Sequence, residues 1–231
     1  MNSKFIAVIF YLLVCLSTTN TLAQTPPNAL DVTGYKGLFK AVIDDDIAAL
    51  KTAIANADEI DIRDNYYRTP LHVATYYANH GAMRLLVKAG ADANALESDR
   101  YDMVTIAAVA DDLETMKLAL KLGNKADNIT SRYDGTALIA AAHLGHVEVV
   151  KTLISAGAPL DHVNNLQWTA VIEAIVLGDG GEDHTATLKA LVDAGANVNI
   201  RDGRGNSPLT LAQQHGYSAM IKILRDAGAR N

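Results

Sequence analysis

The sequence predicts an all-α solenoid of about six stacked helix-turn-helix units. Three observations point there: capping residues recur about every 33 positions, apolar residues fall at spacings of three and four ahead of a recurrent glycine, and one unit alone is too small to bury its apolar face. The clearest copy runs from Asp134 to Ala158 and reads DGTALIAAAHLGHVEVVKTLISAGA. Thr136 stands where it caps a first helix, Ala140, Ala141 and Ala142 let another helix approach, and Gly145 opens the turn. Val147, Val150, Leu153 and Ile154 then form a stripe, closed by Gly157 in the left-handed position that ends a helix.

Following the equivalents of Thr136 and Gly157 through the chain sets the register. Units start at Lys36, Thr69, Asp102, Thr136, Thr169 and Ser207, at intervals of 33, 33, 34, 33 and 38, and end at Ala57, Gly90, Gly123, Gly157, Gly195 and Gly228. The first unit lacks the capping residue and the glycine and carries Asp44, Asp45 and Asp46 at its turn, as an N-terminal cap facing water would. The second opens Thr69-Pro70-Leu71-His72-Val73-Ala74, with Pro70 at the first helical position, where a missing N–H costs little. The third keeps Asp102 as a capping side chain without the Thr-Pro pair. The fifth is longer, with Leu177 to His184 extending the turn between its helices as a solvated loop. The sixth opens Ser207-Pro208-Leu209 and keeps Gln213, Gln214, Lys222 and Arg225, polar residues suited to a C-terminal cap.

These motifs resemble ankyrin repeats. Thr69-Pro70-Leu71-His72 and Ser207-Pro208-Leu209 carry the resemblance, as do the returns Ala91-Asp92-Ala93-Asn94, Ala158-Pro159-Leu160-Asp161 and Ala196-Asn197-Val198-Asn199. The likeness spans roughly Tyr35 to Ala229, and the domain is set at residues 34–231. It implies an ankyrin-repeat solenoid, with a β-turn finger before each first helix and a concave face, made of fingers and first helices, that takes a partner protein.

Ahead of the repeats, Lys4 precedes an uncharged apolar run from Phe5 to Leu16 and a polar stretch ending Thr21-Leu22-Ala23, the pattern of a cleaved signal peptide over residues 1–23. The run has 12 residues, short of the roughly 20 that span a bilayer. Gln24 to Thr33, with Pro26 and Pro27, reads as a linker. The only cysteine, Cys15, falls inside the apolar run, so the mature chain has no thiol for a disulfide, a thiolate metal site or a cysteine nucleophile. The formal charge of −6 becomes −7 without Lys4, which disfavours nucleic acid and anionic membrane surfaces as partners. The expected location is periplasmic or secreted, in a bacterium, after cleavage behind Ala23.

No phosphate loop, His-Glu-x-x-His motif or nucleophile elbow is present, so no catalytic residue and no cofactor is expected. The candidate site is an interaction face: Tyr66, Tyr67, Tyr101, Tyr133 and Trp168 on fingers, and Tyr76, Tyr77, His143 and Leu144 late in first helices, with Leu166 beside them. Tyrosine and tryptophan anchor interfaces because they bury large area at low entropy cost. Arg68, Arg100, Arg132 and Arg204 add a local positive character that suits a carboxylate-bearing ligand. The expectation is a monomeric, non-catalytic interaction module. Its rivals are an effector or immunity-type protein acting on another cell, and a metal-binding protein or enzyme using His143 and His146 or the acidic loop 179–184.

Overall fold

The computed structural model describes residues 24–231, which form thirteen α-helices joined by turns. The expected signal peptide lies outside the described residues. A short α1 (Ala29–Gly34) precedes six helix pairs: α2 (Gly37–Ile43) with α3 (Ile47–Ala55), α4 (Pro70–Tyr76) with α5 (His80–Lys88), and α6 (Met103–Val109) with α7 (Leu113–Lys121). Then follow α8 (Ala137–Leu144) with α9 (Val147–Ser155), α10 (Ala170–Val176) with α11 (Glu182–Asp193), and α12 (Pro208–His215) with α13 (Ser218–Asp226). Each first helix packs on the first helix of the next unit, and the second helices form the layer behind them.

Every expected unit start is the N-cap of a first helix. Thr69, Asp102, Thr136, Thr169 and Ser207 each accept a hydrogen bond from the backbone N–H three residues on, satisfying a donor that the helix leaves open. Asp46, in the acidic run at the first unit's turn, caps α3 through Ala48 and Ala49. Five residues past each first-helix cap stands a buried alanine: Ala41, Ala74, Ala107, Ala141, Ala174 and Ala212. A larger side chain there would hold neighbouring units apart, because cores at crystal-like density have no room for it. The second helices fill the space behind with Leu50, Met83, Met116, Leu153, Leu188 and Met220, all fully buried. In α9 the buried stripe is Val149, Val150 and Leu153, while Val147 and Ile154 lie at its edges. Gly90, Gly123, Gly157, Gly195 and Gly228 close their helices with φ from 79° to 102°.

His72 ties one unit to the next. Its Nδ1 accepts from the Thr69 N–H and its Nε2 donates to the carbonyls of Ala95 and Tyr101, at 3.0 and 3.2 Å. The ring is neutral in this arrangement. Burial pushes its pKa down to about 4.

Two expectations are corrected. Residues 24–33 are part of the fold rather than a linker: Asn28 and Asp31 form a capping box on α1, Pro27 is buried, and Gln24 Nε2 donates to Ile106 O, within α6, at 2.6 Å. Two prolines remove backbone donors and freedom, which suits a strap laid across another element as well as it suits a spacer. The fifth-unit extension is likewise built in. Glu182 to Thr185 begin α11, which reaches 12 residues where the other second helices have nine. His184 Nδ1 meets Asp179 Oδ1 at 3.0 Å, its Nε2 meets His143 O at 2.9 Å, and the Tyr217 hydroxyl donates to Gly178 O. Glycine is required at position 178, where a Cβ would lie 2.2 Å from Ala174 O, and at Gly180, where it would meet the Tyr217 ring.

Candidate interaction face

The inner face is made of fingers and first helices, and one side-chain device builds every finger between units. Asp64, Glu97, Ser131, Asn164 and Asp202 each accept hydrogen bonds from the backbone N–H groups two and four residues on. Three residues past each of these, Tyr67, Arg100, Asp134, Gln167 and Gly205 adopt positive φ. Finger is tied to finger by Ser98 N–H to Tyr66 O, Ser131 N–H to Arg100 O and Asn165 N–H to Tyr133 O.

The expected arginine character of this face is corrected for Arg68. Arg68 is fully buried: its Nε donates to Asp64 and its terminal nitrogens to Asp31 and Thr25 O, at 2.7, 2.7 and 3.0 Å, with the guanidinium 4.6 Å from the Tyr66 ring centroid. Burial works to raise the Asp64 carboxyl, but hydrogen bonds from Tyr35 and Arg68 outweigh it and hold it below the usual carboxylate range. Arg100 pairs with Asp134 and Arg132 with Asp99, crosswise between the third and fourth fingers. Arg100, Arg132 and Arg204 are all exposed, and of the three Arg204, on the last finger, forms no ion pair with a described residue.

The aromatic residues divide in the same way. Tyr101 is buried, its hydroxyl pushed up to about 12 by desolvation, and the Tyr76 hydroxyl is buried without a partner, its proton held more tightly for the same reason. Tyr66 is half-buried under Arg68. The strap crosses this region, with Thr25 bonded to Asp99 of the third finger and Gln24 to α6. Tyr67 and Tyr77 stay exposed. Further along the stack the face is open: Tyr133, Leu144 and Leu166 are 50%, 39% and 43% exposed. Leu166 and half-buried Trp168 line a cleft of 570 Å³ with Val176 and Leu211, rimmed by Asp202, Arg204 and His215.

His143 and His146 do not converge. His146 Nδ1 bonds to Ala108 O at 2.9 Å, whereas the His143 Nδ1 faces Glu173 Oε2 at 3.7 Å. No group of three potential ligands gathers around either histidine or the 179–184 loop among the described residues. Among those residues, too, no helix is long and apolar enough to cross a membrane.

Comparison with known proteins places this geometry. Family profiles for ankyrin repeats match residues 66–98, 104–202 and 181–225. An Escherichia coli K12 protein, YahD, described as an ankyrin repeat protein, is 32% identical over 186 residues, spanning 80% of this chain and 92% of its own length. The chain is an ankyrin-repeat protein. A solved ankyrin repeat domain from Acinetobacter baumannii AYE superposes with a TM-score of 0.78 at 41% identity, covering 84% of this chain and 98% of that one. The solved ankyrin repeat protein EF0377 gives 0.76 at 30% identity, over 83% and 98%.

Within the ankyrin stack the inner face also holds a residue that the pattern of tyrosines and arginines passes over. Glu173 lies on α10 at a position held by Val73, Ile106, Ala140 and Leu211 in other units and by Lys40 in the first. It is 4% exposed, its Oε1 accepts from Asn164 Nδ2 at 3.0 Å, and burial raises its pKa to about 7. An acid inside AVIEAIV, an otherwise apolar ankyrin helix, is the sequence signal that marks it.

Proposed function

We propose that this chain is a non-catalytic ankyrin module, exported to the periplasm or secreted, that binds a partner protein on the concave face of its fourth to sixth units. One observation carries the reading: Tyr133, Leu144 and Leu166 are large apolar side chains held exposed on neighbouring units, while the equivalent region of the second and third units is crossed by the chain's own strap. Exposed apolar side chains gathered on a rigid scaffold mark interaction sites, and a tyrosine such as Tyr133 is the type that supplies a hot spot. The cleft behind Leu166 gives such a contact depth, and Arg204 at its rim supplies charge.

The export assignment rests on the apolar run of residues 5–16 and the small-residue site at Ala23. In the test of the binding surface, immobilised chain captures cross-linked partners from the exporting compartment. Replacing Tyr133, Leu144 and Leu166 together by serine should abolish that capture, and replacing Tyr67 and Tyr77 should leave it. Retention by the triple variant would remove the open half of the face as the binding surface.

A further inference from the structure

We propose that the pocket over Glu173 receives a lysine side chain of the bound protein, its ammonium on Glu173 Oε2 and its aliphatic stem against Val109, Ile139 and Leu144. This rests on the assignment of the concave face as the partner-binding surface and names the chemistry that one point on it selects.

The pocket measures 130 Å³, roughly the liquid volume of four waters. That is far below what a drug-sized ligand or cofactor needs. It matches the few heavy atoms of one side chain. Val109, Ile139, Ala140 and Leu144 give it apolar walls, while the Glu173 carboxylate lies among polar neighbours that include His143 and Asn164, so an occupant needs an apolar stem and a polar end. Lysine has that construction. Arginine fits worse, because its planar fork favours two carboxylate oxygens and Glu173 Oε1 is already engaged by Asn164. The tyrosine rings lining the pocket add an electron-rich surface for a cation.

A carboxylate placed where four of the other five units carry an apolar side chain is unfavourable for folding alone. Its charged form loses hydration and gains a single hydrogen bond from the protein. A residue that strains the fold in this way and faces a pocket fits a binding role. The groups around it act consistently. Partial burial and His184 behind it lower the pKa of His143, at 3.7 Å, and Asp179 pairs with His184 away from the pocket. An incoming ammonium favours the ionised carboxylate, so binding releases a proton. Affinity should rise from pH 6 to pH 8 while the lysine remains cationic throughout.

The test is an NMR titration of the full chain with N-acetyl-lysine methylamide, and with the norleucine, arginine and Nε-acetyl-lysine analogues. The lysine probe should shift the amides of Gly135, Ala140 and Ala174 and bind at least tenfold tighter than the other three. In Glu173→Gln that advantage over norleucine should vanish together with the pH dependence, while melting at pH 8 moves upward, showing an intact fold. Equal binding of lysine and norleucine, or no shift at these amides up to 20 mM probe, overturns the proposal. So does a pH dependence that survives in Glu173→Gln, since the titration would then belong to His143. If the captured partner depends on Tyr133, Leu144 and Leu166 but is retained by Glu173→Gln, the lysine assignment falls alone. If the lysine probe docks and no partner depends on that face, the interaction reading falls instead.

Discussion

Arg68→Ala is expected to cost about 3–5 kcal/mol of stability, the usual effect of breaking a buried ion pair from one side. The guanidinium joins the strap to the second unit's finger: it bonds Thr25 and Asp31 of the strap and Asp64 of its own finger, and it lies over the Tyr66 ring. Removing it leaves Asp64 with its bonds from Tyr35 and the finger backbone, but Asp31 and Thr25 O lose what holds them down. The strap should therefore release first. In urea melts the variant should unfold at lower denaturant. Hydrogen exchange should show residues 24–34 freed before the repeats, since local elements open below the global free energy. Arg68→Lys should rescue little, because one ammonium cannot reach two carboxylates and a carbonyl with fork geometry.

Two buried groups titrate in opposite senses, and separating them yields a second large effect. His72 has its pKa lowered from 6.5 to about 4, so the unfolded chain binds more protons between those values. Its contribution is complete above about pH 6.5 and is lost as pH falls toward 4, a change on the order of 3 kcal/mol. Glu173 is raised from 4.5 to about 7, so the folded chain binds more protons in that window, and stability falls by a similar amount as pH rises through it. These two contributions should therefore largely offset each other between about pH 6.5 and 4.5. Glu173→Gln should remove that offset and steepen the profile, with the variant more stable than wild type at pH 8 by up to about 3 kcal/mol and converging with it near pH 4.5. Chemical denaturation across pH reads both curves.

The fold was legible because each unit repeats its own punctuation. A capping oxygen, a small residue five positions later and a stop glycine recur at one spacing, and each answers a local requirement of backbone or packing. The interaction face was less legible. Position in the repeat places Arg68, Arg100 and Arg132 on fingers, but which carboxylate each one meets depends on the neighbouring unit and on the strap. The strap itself carries no periodic signal. Its two prolines and polar residues look the same whether they dangle or dock, and only Asp31 opposite Arg68 settles which. Tyr76 and Tyr101 sit where exposed anchors belong, yet burial claims them, whereas Tyr133, Leu144 and Leu166 keep the exposure their positions imply. Glu173 could have been found by comparing one column of the repeat across all units.

The most direct measurement is hydroxyl-radical footprinting of the mature chain, free and bound to its captured partner. Protection on binding should concentrate at Tyr133, Leu144, Leu166 and Trp168, with Tyr76 and Tyr101 already shielded in the free chain. Protection confined to the second helices, or to Tyr67 and Tyr77 with the fourth to sixth units unchanged, would contradict a binding surface on the open half of the concave face.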